Sequence, residues 1–129
     1  MISRRLFLAS AATVAVTAAF PALAAETPFA AAAFDEAMKA GRPTLVEIHA
    51  TWCPTCKAQS AILGPLFADP KYRDLTVLRV DFDAQKDIVR KFGARMQSTL
   101  IVFKGGVEVG RSVGDTNPGS IAALLAKAI

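Results

Sequence analysis

Cysteine, histidine and the single-copy aromatics are scarce in this 129-residue chain: two Cys, one His, one Trp and one Tyr. Two cysteines cannot form the kind of disulfide framework that holds small secreted domains together. These two, Cys53 and Cys56, are separated only by Pro54 and Thr55, so a bridge between them closes almost no loop and constrains the unfolded chain little. No run of basic residues and no interleaving of basic with aromatic residues occurs, which excludes a nucleic-acid-binding surface. No internal repeat or low-complexity linker breaks the chain after its first two dozen residues, so its length accommodates a single domain. Charge is also missing locally, since nothing between Arg5 and Glu26 is ionisable.

That uncharged stretch reads as an export signal over residues 1–24. Arg4 and Arg5 form a positive start, Leu6 to Phe20 is apolar and rich in Ala and Thr, and Ala22-Leu23-Ala24 has the small residues expected before a cleavage point. Ser3-Arg4-Arg5-Leu6-Phe7-Leu8 resembles the twin-arginine signal at every position of its core pattern, with Ala9 where a lysine often follows. The resemblance implies a bacterial protein exported after folding, hence periplasmic, touching the membrane only through the signal before cleavage. An ordinary secretory signal and an uncleaved anchor are the alternatives; Pro21 and the Ala-Leu-Ala site argue against the anchor. Removing Arg4 and Arg5 from the 15 basic residues leaves 13 against 11 acidic, a net charge of +2 for residues 25–129. The 53% hydrophobic content is likewise inflated by the leader.

What the chain does have is Trp52-Cys53-Pro54-Thr55-Cys56-Lys57, directly after an apolar run and directly before a helical pattern. A C-x-x-C at a strand-to-helix junction is a redox signal. The spacing suits two sulfurs meeting across a first helical turn, one exposed and one covered. The unpaired N–H groups and positive end of the helix dipole there favour thiolate, the form that attacks disulfides. Around this motif the pattern predicts a helix over Phe29–Ala40, a strand over Thr44–Ala50, and a helix to about Phe67 that kinks or ends early at Gly64-Pro65. A second strand spans Leu75–Asp81, a short helix Gln85–Phe92, a third strand Thr99–Phe103, a Gly105-Gly106 hairpin, a fourth strand Val107–Val113, and a helix from Pro118. Glu26 to Pro28 reads as a short leading segment. This order implies an α/β domain with a mixed four-stranded sheet covered by helices on both faces.

Leu45 through Lys57, then Phe92-Gly93 and Ser98 through Gly106, resemble the thioredoxin superfamily. The resemblance covers nearly all of Phe29–Ile129 and implies the thioredoxin fold and thiol–disulfide exchange. On it, Cys53 attacks, Cys56 resolves, and Glu47 stands where thioredoxins carry a buried aspartate. A carboxylate in that apolar strand should have a raised pKa and could accept the Cys56 proton; the alternative is a structural ion pair, with Lys57 the candidate partner. Trp52, Pro54, Thr55, Ser98 and Thr99 are the implied substrate-binding surface. One departure matters. Ser98 occupies the position of the family's cis-proline, so the Gln97–Ser98 peptide is either trans or held cis by its surroundings. His49, on the Glu47 face, reads as a packed or half-exposed side chain first and a tuner of the thiols second. Asp81 and Asp83 read as caps of the turn after the second strand.

The expected activity is therefore an exported thiol–disulfide oxidoreductase acting on protein substrates with a redox partner protein. It would need no cofactor beyond the Cys53–Cys56 disulfide, and reductase or general exchange is favoured over dedicated oxidase. The alternatives are a soft-metal (Cu, Zn or Fe–S) binding or delivery protein using the two thiolates, and a non-catalytic binding module that keeps the fold. The residues are silent on oligomeric state.

Overall fold

The computed structural model describes residues 12–18 and 23–129; Ser3–Leu8, Pro21 and Ala22 lie outside them. Of the leader, residues 12–18 are exposed and without regular structure, and at its end Leu23 is exposed and Ala24 packs partly against the core. Among the described residues no helix is long and apolar enough to cross a membrane.

The elements are β1 (Glu26–Pro28), α1 (Ala31–Lys39), β2 (Thr44–His49), α2 (Pro54–Phe67), β3 (Thr76–Asp81), α3 (Lys86–Lys91), β4 (Thr99–Lys104), β5 (Val107–Val113) and α4 (Pro118–Ala126), with one 3₁₀ turn at Pro70–Tyr72. The sheet has five strands, one more than the pattern predicts, in the order β1-β3-β2-β4-β5. β1, β3 and β2 run parallel, and β4 and β5 complete the sheet antiparallel. The added strand is Glu26–Pro28. Three exposed residues ending in proline carry no alternating signal, and only pairing with β3 makes them a strand. An edge position tolerates Pro28, whose missing N–H no neighbour requires. Thr27 Oγ1 adds a bond to the Val77 carbonyl at 3.2 Å.

β2 is central and its burial is nearly continuous, as its apolar composition implies. Alternation sorts its side chains between two cores. Leu45, Val77, Leu100 and Val102 face α2 and α4, meeting Leu63, Phe67, Ile121 and Leu125. Val46, Ile48, Leu78, Val80, Ile101 and Phe103 face α1 and α3. On that second side Phe34 and Phe92 stack edge-on, 5.2 Å between ring centres at 87°. Such aromatic pairs add to area burial.

α2 begins at Pro54, immediately after the first cysteine, and runs to Phe67 without the early end predicted at Gly64-Pro65. The hairpin is as expected. Gly105 and Gly106 both have positive φ, and a Cβ on Gly106 would lie 3.0 Å from the Met38 carbonyl oxygen.

Candidate functional site

β2 delivers the chain to the N-terminus of α2, and the loop between them places Cys53 as that helix's N-cap. Cys53 N–H donates to the Ala50 carbonyl at 3.2 Å. Pro54 takes the first helical position, where its absent N–H has no intrahelical acceptor. The Cys56 backbone N–H, one of the orphan donors of the first turn, then donates to Cys53 Sγ at 3.1 Å. The two thiols are free and not bridged.

Neither sulfur is exposed in the way the spacing alone implied. Cys53 shows 3% of its surface and Cys56 1%. They differ in depth, since the protein crowds Cys56 far more than Cys53. Burial alone would push the Cys53 thiol up. The Cys56 thiol and backbone N–H, the Gln97 side chain and the Thr55 backbone outweigh it, and they bring Cys53 below its ordinary value. Cys56 is pushed up to about 11 by burial first and by its hydrogen bond to Cys53. One thiol is thereby primed as thiolate and the other kept protonated.

The loop before β4 faces the thiols. Ser98 is trans, with φ +60°. Its N–H donates to the Ile48 carbonyl at 2.7 Å, and its carbonyl accepts from Gly114 N–H at 3.0 Å and from Gln59 Nε2 at 3.0 Å. Gln59 also donates to the Asp115 carbonyl at 2.9 Å, so a buried α2 amide ties this loop to the segment after β5. Ser98 and Thr99 are both buried, and Thr99 Oγ1 donates to the Met96 carbonyl at 2.7 Å. The exposed groups near the thiols are Trp52 (58%) and Met96 (52%), with Pro54 exposed and Thr55 and Gln97 half-buried. Trp52 Nε1 donates to Asp83 Oδ2 at 2.7 Å, fixing the indole at the rim.

Glu47 lies under α2, 3% exposed, and does not pair with Lys57. Its partner is Arg79, the residue directly opposite on β3. Strand register sets that pairing, whereas Lys57 points outward from α2. Arg79 Nε donates to Glu47 Oε2 at 2.9 Å, and its Nη2 donates to Glu26 Oε2 at 2.7 Å and to Ser60 Oγ at 3.1 Å. Glu47 Oε1 is buried with no hydrogen-bond partner among the described residues. The Glu47 carboxyl is raised to about 7, by burial first and the negative charge of Glu26 second, against the pull of Arg79. His49 is half-buried, and burial, then Arg79, lower it; the charges acting on it are Arg79, Glu26 and Asp81. Asp81 caps its turn as expected, Oδ1 accepting from Asp83 and Ala84 N–H at 2.9 Å each, while Asp83 serves Trp52. Among the described residues no three His, Cys, Asp or Glu side chains converge where one ion could sit.

Sequence reasoning missed Arg79, Glu26, Ser60, Gln59 and Gln97. Only Arg79 carried a signal, a lone cation between the apolar Leu78 and Val80 of its strand; the others depend on register and on a loop conformation.

The Thioredoxin family model matches residues 26–127. The chain is similar to the thioredoxin of Chlamydia muridarum, 40% identical over 83 residues, covering 64% of this chain and 79% of that protein. It is also similar to thioredoxin-2 of Saccharomyces cerevisiae, 35% identical over 97 residues, covering 74% and 90%. Among solved structures, Trxlp from Edwardsiella tarda EIB202 is 46% identical, covers 78% of this chain and 98% of its own, and superposes with a TM-score of 0.76.

Proposed function

The chain belongs to the thioredoxin family and is a thiol–disulfide oxidoreductase whose redox pair is Cys53–Cys56; on that premise we propose that it works in the periplasm, reducing or exchanging disulfides of protein clients. Family membership implies protein dithiol or disulfide substrates and a reductase partner.

The observation that carries the mechanism is the opposite tuning of two adjacent thiols. Cys53 thiolate attacks one client sulfur, the client disulfide breaks, and one client thiolate leaves. Cys56 then gives up its proton, with Glu47 carboxylate as the acceptor, and attacks Cys53 Sγ. The mixed disulfide breaks, and the second client thiolate leaves with the electron pair. The client has gained two electrons, the protein holds Cys53–Cys56 as a disulfide, and the reductase partner returns two electrons. Trp52, Pro54 and Thr55 offer the client a surface, and Ser98 and Thr99 shape the loop opposite. The favoured direction rests on the compact frame. Only α3 and its flanking loops separate β3 from β4, with no inserted helical domain. The lowered Cys53 works the other way, stabilising the dithiol and making the disulfide more oxidising.

Export rests on the Ser3–Leu8 pattern, the uncharged stretch after Arg5 and Ala22-Leu23-Ala24. Expressed in a bacterial host, the full chain should yield a periplasmic form beginning at Ala25, and a double Arg4→Lys, Arg5→Lys variant should stay in the cytoplasm. A wild-type chain that stays cytoplasmic and unprocessed overturns this part. For the chemistry, Cys53→Ser should abolish reduction of insulin disulfides, and Cys56→Ser should trap clients as mixed disulfides on Cys53. Retained activity in Cys53→Ser defeats the mechanism.

A further inference from the structure

Two carboxylates share one guanidinium beneath the active-site helix. Arg79 reaches Glu47 Oε2 through Nε at 2.9 Å and Glu26 Oε2 through Nη2 at 2.7 Å. Its third bond goes to Ser60 Oγ at 3.1 Å, and Ser60 stands four residues, one helical turn, beyond Cys56 on α2. The cluster thus sits against the resolving thiol's own face of the helix. It contains two potential negative charges and one fixed positive charge; Glu47 Oε1 has no hydrogen-bond partner among the described residues, and the Glu26 carboxyl acts on Glu47 directly as well as through Arg79. A buried carboxylate with an orphan oxygen and half a counter-ion is a poor anion and a good proton acceptor.

We propose that Glu26 is a positioning residue for the resolving step: by occupying one arm of Arg79 it denies Glu47 full pairing, and so keeps Glu47 basic enough to take the Cys56 proton. This rests on the exchange mechanism above. Without Glu26, Arg79 is free to pair with Glu47 alone, and the carboxylate becomes as weak a base as an ordinary ion-paired glutamate. An acceptor near 7 makes a shorter proton climb from a thiol near 11 than one at 4.5 does. The other groups around Glu47 do not supply the same effect. Along its own strand is His49, and on β3 beyond Arg79 is Asp81, both at the strand ends. β4 opposes it with Leu100, and α2 contributes the neutral Ser60 through its bond to Arg79. A cleft of about 360 Å³ lined by Glu26, Arg79, His49 and Asp81 opens on the solvent side of the cluster, so Arg79 and Glu26 stand between it and the buried Glu47.

The test is Glu26→Gln, which removes the charge but keeps an oxygen for Arg79, with Glu26→Asp as the conservative partner. The Glu47 titration is followed by ¹³C NMR on side-chain-labelled full-length protein, alongside the pH profile of insulin reduction. In Glu26→Gln the Glu47 midpoint should fall by roughly one pH unit, and the acidic limb of the activity profile should move with it; Glu26→Asp should restore both in large part. A Glu47 midpoint that stays put in Glu26→Gln overturns the inference, and so does an activity profile that does not follow a midpoint that moves. A purely structural Glu26 would lower activity at all pH values alike, and that result also counts against it. Because the NMR midpoint is read without turnover, failure of the exchange mechanism itself, seen as an active Cys53→Ser, remains distinguishable.

Discussion

Replacing Glu47 with glutamine should make stability respond differently to pH. The folded-state carboxyl titrates near 7 against an ordinary 4.5, with burial the leading cause. Below about 4.5 the carboxyl is protonated in both folded and unfolded chains, and its ionisation costs the fold nothing. As pH rises the unfolded chain ionises first, so the folded state is increasingly penalised, and the penalty is complete once pH exceeds about 7. At about 1.4 kcal/mol per pH unit, the gap corresponds to about 3 kcal/mol. Glu47→Gln cannot ionise, so relative to wild type it should gain about 3 kcal/mol between pH 4 and pH 8. Its absolute stability is a different matter. The new amide can still offer an oxygen to Arg79 but leaves an N–H₂ where Oε1 has no partner, a pH-independent cost on the order of 1–3 kcal/mol. The difference between the two pH values cancels that cost. Urea unfolding of both proteins at pH 4, 6 and 8 gives the comparison directly. A difference that is flat across this range would falsify the raised carboxyl and, with it, the proton-accepting role proposed for Glu47.

Two further outcomes are expected. Ser98→Pro should destabilise the protein by about 3 kcal/mol, because a ring fixed near φ −65° cannot take φ +60° and the N–H donated to Ile48 is lost; Ser98→Gly should be at least as stable as wild type. Denaturant titration decides this, and a proline variant as stable as wild type refutes the conformation. Asp83→Ala should release the Trp52 indole, changing its fluorescence intensity and wavelength at a stability cost of about 1 kcal/mol; an unchanged spectrum would show the 2.7 Å bond is not held in solution.

What was legible in the sequence was whatever depends on local pattern. The apolar run of Thr44–His49, the Cys-Pro start of α2 and the Gly-Gly hairpin carry their conformations in two to seven residues, and all appear where periodicity and turn chemistry put them. β1 was not legible, because three exposed residues become a strand only when β3 is already in place. The partner of Glu47 was misread for the same reason. Lys57 is near in the chain, but Arg79, 32 residues away, is opposite in the sheet. Both errors concern the same pairing, that of the parallel strands β1, β3 and β2, whose register no short stretch encodes.

At Ser98, where the resemblance implies a proline, the loop shape is held by hydrogen bonds. Ile48 takes the Ser98 N–H, and Gly114 and Gln59 both donate to its carbonyl. A non-glycine residue at positive φ carries a cost on the order of 1–2 kcal/mol, and three hydrogen bonds in a buried setting are sufficient to offset it. Gln59 is the informative member. It comes from the active-site helix, three residues past Cys56, so the position of the loop is tied to the element that carries both thiols. Gln97, held next to Ser98, has its side chain against Cys53, and its contribution to lowering that thiol depends on this loop being held in place. Hydrogen bonds with β2, α2 and the segment after β5 thus secure the facing loop in contact with the attacking sulfur.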